Sequence, residues 1–120
     1  MRSEMLYSIL SELNGSSPDI EASAILSSDG LVIAAILPQS IDEDRVGAMS
    51  AALLSLGDRT AEELNRGALE QVLIKADAGY ILLTDAGEEA VITILTKAKA
   101  RLGLVFLDVN RAAESIAKIL

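Results

Sequence analysis

Few residues in this 120-residue chain have the type and spacing to do chemistry. It has no histidine and no cysteine, which removes the commonest general base and the thiolate as nucleophile or metal ligand. None of its serines sits in a Gly-x-Ser-x-Gly elbow, the strained turn that presents a hydroxyl nucleophile. The acid pairs Asp42/Asp44 and Glu62/Glu63 read as helix-terminal and solvated charge instead of a general acid and base. Asp77-Ala78-Gly79 and Asp85-Ala86-Gly87 lack the ligand spacing of a calcium loop and read as turns. Gly47 and Gly57 lie inside a helical pattern, whereas a phosphate loop belongs between a strand and a helix. The residues therefore point to a non-enzyme with no catalytic, cofactor-binding or metal site.

Charge and composition narrow the partners. A net charge of −8 opposes binding to phosphate backbones, which needs a basic face. With Tyr7, Tyr80 and Phe106 as the whole aromatic complement, base stacking is excluded as well. Hydrophobic residues make up 51% and mean hydropathy is +0.40. Even so, the longest apolar run, Leu31 to Leu37, falls far short of the ~20 residues that span a bilayer. No membrane insertion is expected. Arg2-Ser3-Glu4 puts an acid ahead of any apolar stretch and no cleavage pattern follows, so a cytoplasmic protein is expected. The apolar surplus then reads as surface reserved for burial against protein. Lys97, Lys99 and Arg101 form a basic cluster that reads as a solvated loop or a dock for an acidic surface.

The elements that must carry such a surface follow from periodicity. A first helix is expected over residues 3–14, capped by Ser3 and stopped by Asn14-Gly15, with Met5, Leu6, Ile9, Leu10 and Leu13 at helical spacing. Ile20 to Ser27 alternates, with Ile20, Ala22, Ala24 and Leu26 on one side. Asp29-Gly30 supplies a tight turn, and Leu31 to Leu37 follows, apolar on both faces. Next comes a long helix from Ser40 to about Arg66, with a Ser40/Glu43 capping box and a stop at Gly67. Strands are expected over Leu69–Lys75, Tyr80–Thr84 and Ala90–Thr96, and a last helix over Leu102–Leu120. Short glycine-bearing loops make the hairpins antiparallel. The layout is a single α+β domain over residues 1–120.

The long helix carries two adjacent stripes. Val46, Met49, Leu53, Leu56, Thr60 and Leu64 are assigned to the chain's own core. Gly47, Ser50, Leu54, Gly57 and Ala61 form a small-residue stripe. A helical glycine costs about 0.5–1 kcal/mol against alanine, so two of them suggest that another backbone approaches closely. A second copy of the chain is the preferred occupant, with ordinary packing inside one chain as the alternative.

With these elements placed, the sequence resembles the roadblock / dynein light chain family across essentially its whole length. The residues that carry the resemblance are Ala24-Ile25-Leu26-Ser27-Ser28-Asp29-Gly30-Leu31-Val32-Ile33, the alanine-rich helix Val46 to Leu64 and Leu69-Glu70-Gln71-Val72-Leu73-Ile74. Tyr80-Ile81-Leu82-Leu83 and Leu102-Gly103-Leu104-Val105 with Arg111-Ala112-Ala113 extend it. It implies a five-stranded antiparallel sheet in order 2-1-5-4-3, with the central helix on one face and the two terminal helices on the other, a profilin-like layering. It also implies a homodimer that pairs the third strands and lays the central helices side by side. The interface would then hold Gly47, Ser50, Leu54, Gly57 and Ala61 with Leu69, Glu70, Gln71, Val72, Leu73 and Ile74. That third strand has no proline and only Glu70 and Lys75 as charges, a poor defence for an open edge.

The resemblance further implies a non-enzymatic platform for a small Ras-like GTPase, closest to gliding-motility or polarity regulators. Such a platform stimulates hydrolysis by rearranging the GTPase's own catalytic groups and donates no arginine finger. The GTPase would meet Arg45, Ala48, Ala51, Ala52, Ser55, Arg59 and Glu62 on the outer helix surface. The alternative is a structural adaptor that holds its partner without changing hydrolysis. Arg59–Glu63 and Glu62–Arg66 are spaced for surface ion pairs worth only ~0.2–0.5 kcal/mol each.

Overall fold

The computed structural model describes residues 2–120. Its elements are α1 (Arg2–Ser16), β1 (Ile20–Ser27), β2 (Val32–Ile36), α2 (Glu43–Glu63), β3 (Gln71–Ala76), β4 (Gly79–Asp85), β5 (Ala90–Thr96) and α3 (Leu102–Ile119). The five strands form one sheet in the order β2-β1-β5-β4-β3, with antiparallel pairing throughout. Among the described residues no helix is long and apolar enough to cross a membrane.

Two cores lie on opposite faces of that sheet. On one, Leu6, Leu10 and Leu13 of α1 and Val105, Val109 and Ile116 of α3 close over Ile25, Leu82, Ile92 and Ile94. On the other, Leu54 of α2 packs on Ala24, Leu26, Leu83 and Val91. The central helix thus covers one face and the terminal helices the other, as the resemblance implies. β5 is the middle strand and is buried from Ala90 to Ile94.

Local chemistry moves several boundaries. The first helix runs past Asn14-Gly15 to Ser16, because Asn14 is engaged by the Ser23 hydroxyl at 2.8 Å and does not act as a stop. Ile20, Ala22, Ala24 and Leu26 do not share one face. The register with β5 slips between Ile20 and Ala22, a bulge at Glu21 that sends Ile20 into the terminal-helix core. Ser40 is not the cap of α2. Ile41 N–H bonds the Pro38 carbonyl at 3.0 Å and holds that stretch in a turn, so Asp42 caps the helix by accepting from Asp44 N–H at 2.9 Å. At its other end α2 stops before Gly67. Asn65 takes a positive φ of 58°, and Arg66 and Asn65 N–H groups bond the Ala61 and Glu62 carbonyls. These bonds form a Schellman motif with asparagine in the left-handed position.

Candidate partner-binding surface

The structure reverses the roles of the two stripes on α2. Gly47, Ser50 and Leu54 are buried against the chain's own sheet, with Gly57 and Ala61 half-buried on the same side. The close approach that the glycines imply is therefore internal. A Cβ added at Gly47 would stand 2.1 Å from the Gly30 carbonyl oxygen, so helix backbone lies directly on the β1–β2 turn. Gly30 needs its φ of 94° for that turn and has the Gly47 carbonyl over it. Ser50 and Thr93 share a buried hydroxyl–hydroxyl bond of 2.9 Å, which ties α2 to the middle strand. The assignment of Gly47, Ser50, Leu54, Gly57 and Ala61 to a contact between copies is thus corrected: the stripe faces its own sheet because only small side chains let the helix descend onto it.

What α2 turns outward is much of the stripe that periodicity assigned to the core, of which Val46 and Leu53 still pack on the α2 core. Met49 and Leu56 are each 61% exposed and Leu64 64%, while Val46 and Leu53 are half-buried at its margin. Beside them α2 fails to cover the sheet. An apolar groove of about 460 Å³ opens there, walled by Val46, Met49 and Leu53 and floored by Ile74, Ile81 and Leu95. No residue list drawn from the sequence contained Met49, Leu56, Ile81 or Leu95 as surface. For Met49 and Leu56 the signal is present as large apolar residues on a second helix stripe, with nothing to say which stripe would lose, whereas Ile81 and Leu95 lie on strands β4 and β5.

The groove opens onto β3, one of the two sheet edges. β3 pairs with β4 in unbroken register from Gln71 to Ala76 and contains no proline. Leu69 and Glu70, counted with this strand from sequence, precede it, and Leu69 and Val72 pack under α2 at Gly57. β2, the other edge, is interrupted: its register with β1 slips between Ile25 and Leu26 and leaves Ile33 as the extra residue. A bulge twists an edge away from pairing. β3 is the unprotected edge.

Along the helix, Arg45, Ala48, Ala52, Ser55, Arg59 and Glu62 are exposed, whereas Ala51 is half-buried with its Cβ near Gly30. Arg59, Glu62, Glu63 and Arg66 enter no ion pair among the described residues, so the spacing at i,i+4 is not used. At the C-terminal half of α2, Asp58, Glu70 and Asp85 rim a shallow depression. Partial burial, and then the charge of Asp58, push the Asp85 carboxyl above its ordinary range.

Two members of the basic cluster have a structural role that the sequence left open. Asp19, whose side chain is 5% exposed, accepts from Arg101 N–H at 2.9 Å, Arg101 Nε at 3.1 Å and Lys97 Nζ at 3.1 Å. The backbone bond from Arg101, followed by the side-chain bonds of Lys97 and Arg101, pulls its pKa down to about 2. Asp19 is a cap supplied from across the fold to the N-terminus of α3, and Lys97 and Arg101 neutralise it. Lys99 stays exposed.

A family model described as Roadblock/LC7 domain matches residues 6–96. The uncharacterized protein MJ1340 of Methanocaldococcus jannaschii is 44% identical over 112 residues, covering 93% of this chain and 96% of that protein. Among solved structures, the gliding protein mglB of Thermus thermophilus superposes with a TM-score of 0.86 at 20% identity, covering 99% of this chain and 90% of that one. Profilin II of Acanthamoeba castellanii gives 0.65 at 16% identity, over 94% of this chain and 97% of that one. At such identities these two speak for the fold alone, and they bear out the profilin-like layering.

Proposed function

This chain belongs to the Roadblock/LC7 family, and from that membership we propose that it is a non-enzymatic, homodimeric platform in the cytoplasm that regulates a small Ras-like GTPase. The observation that carries the reading is the pairing of an unprotected edge, β3, with an apolar groove beside it. An edge strand of uninterrupted register invites a further strand, and an apolar depression continuous with it invites a helix. A second copy supplies both at once, its β3 against this β3 and its α2 over the groove. The helix contact in such a dimer is made by Met49 and Leu56, the large residues that one chain leaves uncovered, with half-buried Leu53 beside them.

The GTPase would dock on the outer strip of the paired helices, at Ala48, Ser55, Arg59 and Glu62, with Arg45 and Ala52, which also line the groove, at its inner margin. Alanine and serine there allow close approach of a partner's loops. On this reading the platform positions the GTPase's own catalytic groups, and Arg45 and Arg59 serve as exposed contact residues on the strip. Single-turnover GTP hydrolysis by each small GTPase of the source organism, with and without this protein, tests the reading. A rate increase that saturates with dimer concentration is expected. Binding with an unchanged rate would remove regulation of hydrolysis and leave an adaptor.

A further inference from the structure

The structure fixes how two copies of β3 would meet, an inference that rests on the homodimer proposed above. Two identical strands lying side by side and antiparallel are related by a two-fold axis perpendicular to the sheet. That axis keeps each residue on its own face, so residues directly opposite one another must share a face. Val72 and Ile74 lie on the α2 face, Val72 in that core and Ile74 on the floor of the groove. Leu73 is paired with Leu82 of the opposite core, and Gln71 and Lys75 alternate with it onto that same side. Only registers centred on a single residue satisfy the condition.

The hydrogen-bonding pattern narrows the choice. Tyr80 N–H points to β5, where it bonds Thr96 Oγ1 at 3.0 Å, so Tyr80 does not bond its partner Lys75 in β3. Bonded and unbonded pairs alternate along an antiparallel ladder. The backbone groups of Gln71, Leu73 and Lys75 are therefore the ones that face the open edge. Centring on Leu73 sets these against Lys75, Leu73 and Gln71 of the second copy, three pairs exchanging about six hydrogen bonds. Centring on Ile74 leaves two such pairs and about four bonds, because Gln71 then faces Asp77 in the turn. It also sets each Leu73 against an ammonium group. Centring on Lys75 opposes two like charges, and centring on Val72 shortens the overlap.

We propose that the dimer is centred on Leu73, with Val72 opposite Ile74 on the helix-covered face and Gln71 opposite Lys75 on the other. Leu73, which is 41% exposed in one chain, is then covered by its own copy. The two Val72–Ile74 pairs extend the floor of the groove across the symmetry axis.

The chain has no cysteine, so introduced thiols report cleanly. Val72–Ile74 is an unbonded pair in this register, with a Cα separation of about 4.5 Å, within disulfide range. Val72→Cys and Ile74→Cys chains, one carrying a size tag, are mixed, allowed to exchange and oxidised. The expected product is a disulfide joining one of each, with neither variant linking to itself. Self-linking by Ile74→Cys or by Val72→Cys overturns the register. A sedimenting dimer with no link of any kind overturns the β3 edge as the interface. A lone chain at micromolar concentration in sedimentation overturns the homodimer itself, a failure distinct from a wrong register. Gln71→Lys gives an independent sign. Centring on Leu73 puts it opposite Lys75 twice and weakens association about 2- to 30-fold, whereas centring on Ile74 puts it opposite Asp77 and tightens association.

Discussion

Gly47→Ala is the substitution that most sharply separates packing within the chain from packing between copies. In an ordinary solvent-facing helical position the change stabilises by about 0.5–1 kcal/mol, since alanine loses less entropy on folding. Here the new methyl would stand 2.1 Å from the Gly30 carbonyl oxygen and 3.3 Å from Val32 Cγ2. The helix that carries the methyl and the turn it strikes first are both backbone, so no side-chain rotation relieves the contact. Overpacking costs about 1–3 kcal/mol where neighbours can adjust, and the upper end applies where they cannot. Set against the propensity gain, the net loss is about 2–2.5 kcal/mol, or a fall in Tm of roughly 6–15 °C for a domain of this size. Gly57→Ala is the control. Its methyl meets Leu69 Cδ2 at 3.0 Å, a mobile end that can swing aside, and Val72 Cγ2 only at 3.3 Å, and its effect should stay within about 1 kcal/mol. Thermal unfolding at two protomer concentrations reads both. A Gly47→Ala protein as stable as the parent, or a deficit that vanishes on concentrating the sample, refutes internal packing of this stripe.

Three other outcomes follow from named contacts. Ser50→Ala should cost about 1–3 kcal/mol because it leaves the buried Thr93 hydroxyl unpaired. Adding Thr93→Val should recover much of that loss in urea unfolding, and an additive double mutant would deny the bond its role. Asp19, held at about 2 against 3.8 when free, stabilises the fold fully above pH ~4 and loses that contribution as pH falls toward 2. Asp19→Asn should flatten the acid limb of a stability–pH curve between those values, and an unaltered limb counts against the cap. Leu56→Glu alters a residue exposed in the single chain, so secondary structure by circular dichroism should be retained while sedimentation shows self-association weakened more than about tenfold. Undiminished association removes Leu56 from the interface.

The sequence carried the fold because alternation, turn residues and helix period agreed at every element. The bounds of β1, read from alternation, and of β5, read from the glycine-bearing loop before it, match the structure. Boundaries moved where a tertiary bond competed with a local signal: Asn14 was taken up by Ser23, and the Pro38 turn displaced the cap from Ser40 to Asp42. The bulge at Glu21 was hidden because Ile20, Ala22, Ala24 and Leu26 alternate as if no residue were extra. Asp19 was invisible as a cap, since its partner Arg101 lies far along the chain. The surface was the least legible part. Two neighbouring stripes on α2 are both apolar, and a hydrophobic period cannot rank them. The decisive fact is the height of α2 above the β1–β2 turn, which Gly30 and Gly47 set jointly and neither signals alone.

That height has a consequence for stability. The terminal-helix core contains Leu6, Leu10, Ile25, Leu82, Ile92, Ile94 and Ile116, all essentially sealed from solvent. Among the described residues, the fully buried part of the α2 core is Ala24, Leu26, Leu54, Leu83 and Val91, ringed by half-buried side chains such as Val46 and Val72. A helix that descends on glycine and serine gains proximity and forfeits volume, because its bulky residues are forced to the outside. Covering Met49 and Leu56 would return about 1–2 kcal/mol each, an amount comparable with what the thin core lacks. On the proposed reading a second chain supplies that cover, so the helix layer and the dimer form should melt together while the terminal-helix core survives to higher denaturant. Hydrogen exchange on dilution would resolve the two: α2 and β3 amides should lose protection before those of α3 and β5. Equal protection across both faces in a dilute sample would show that the thin core is sufficient by itself.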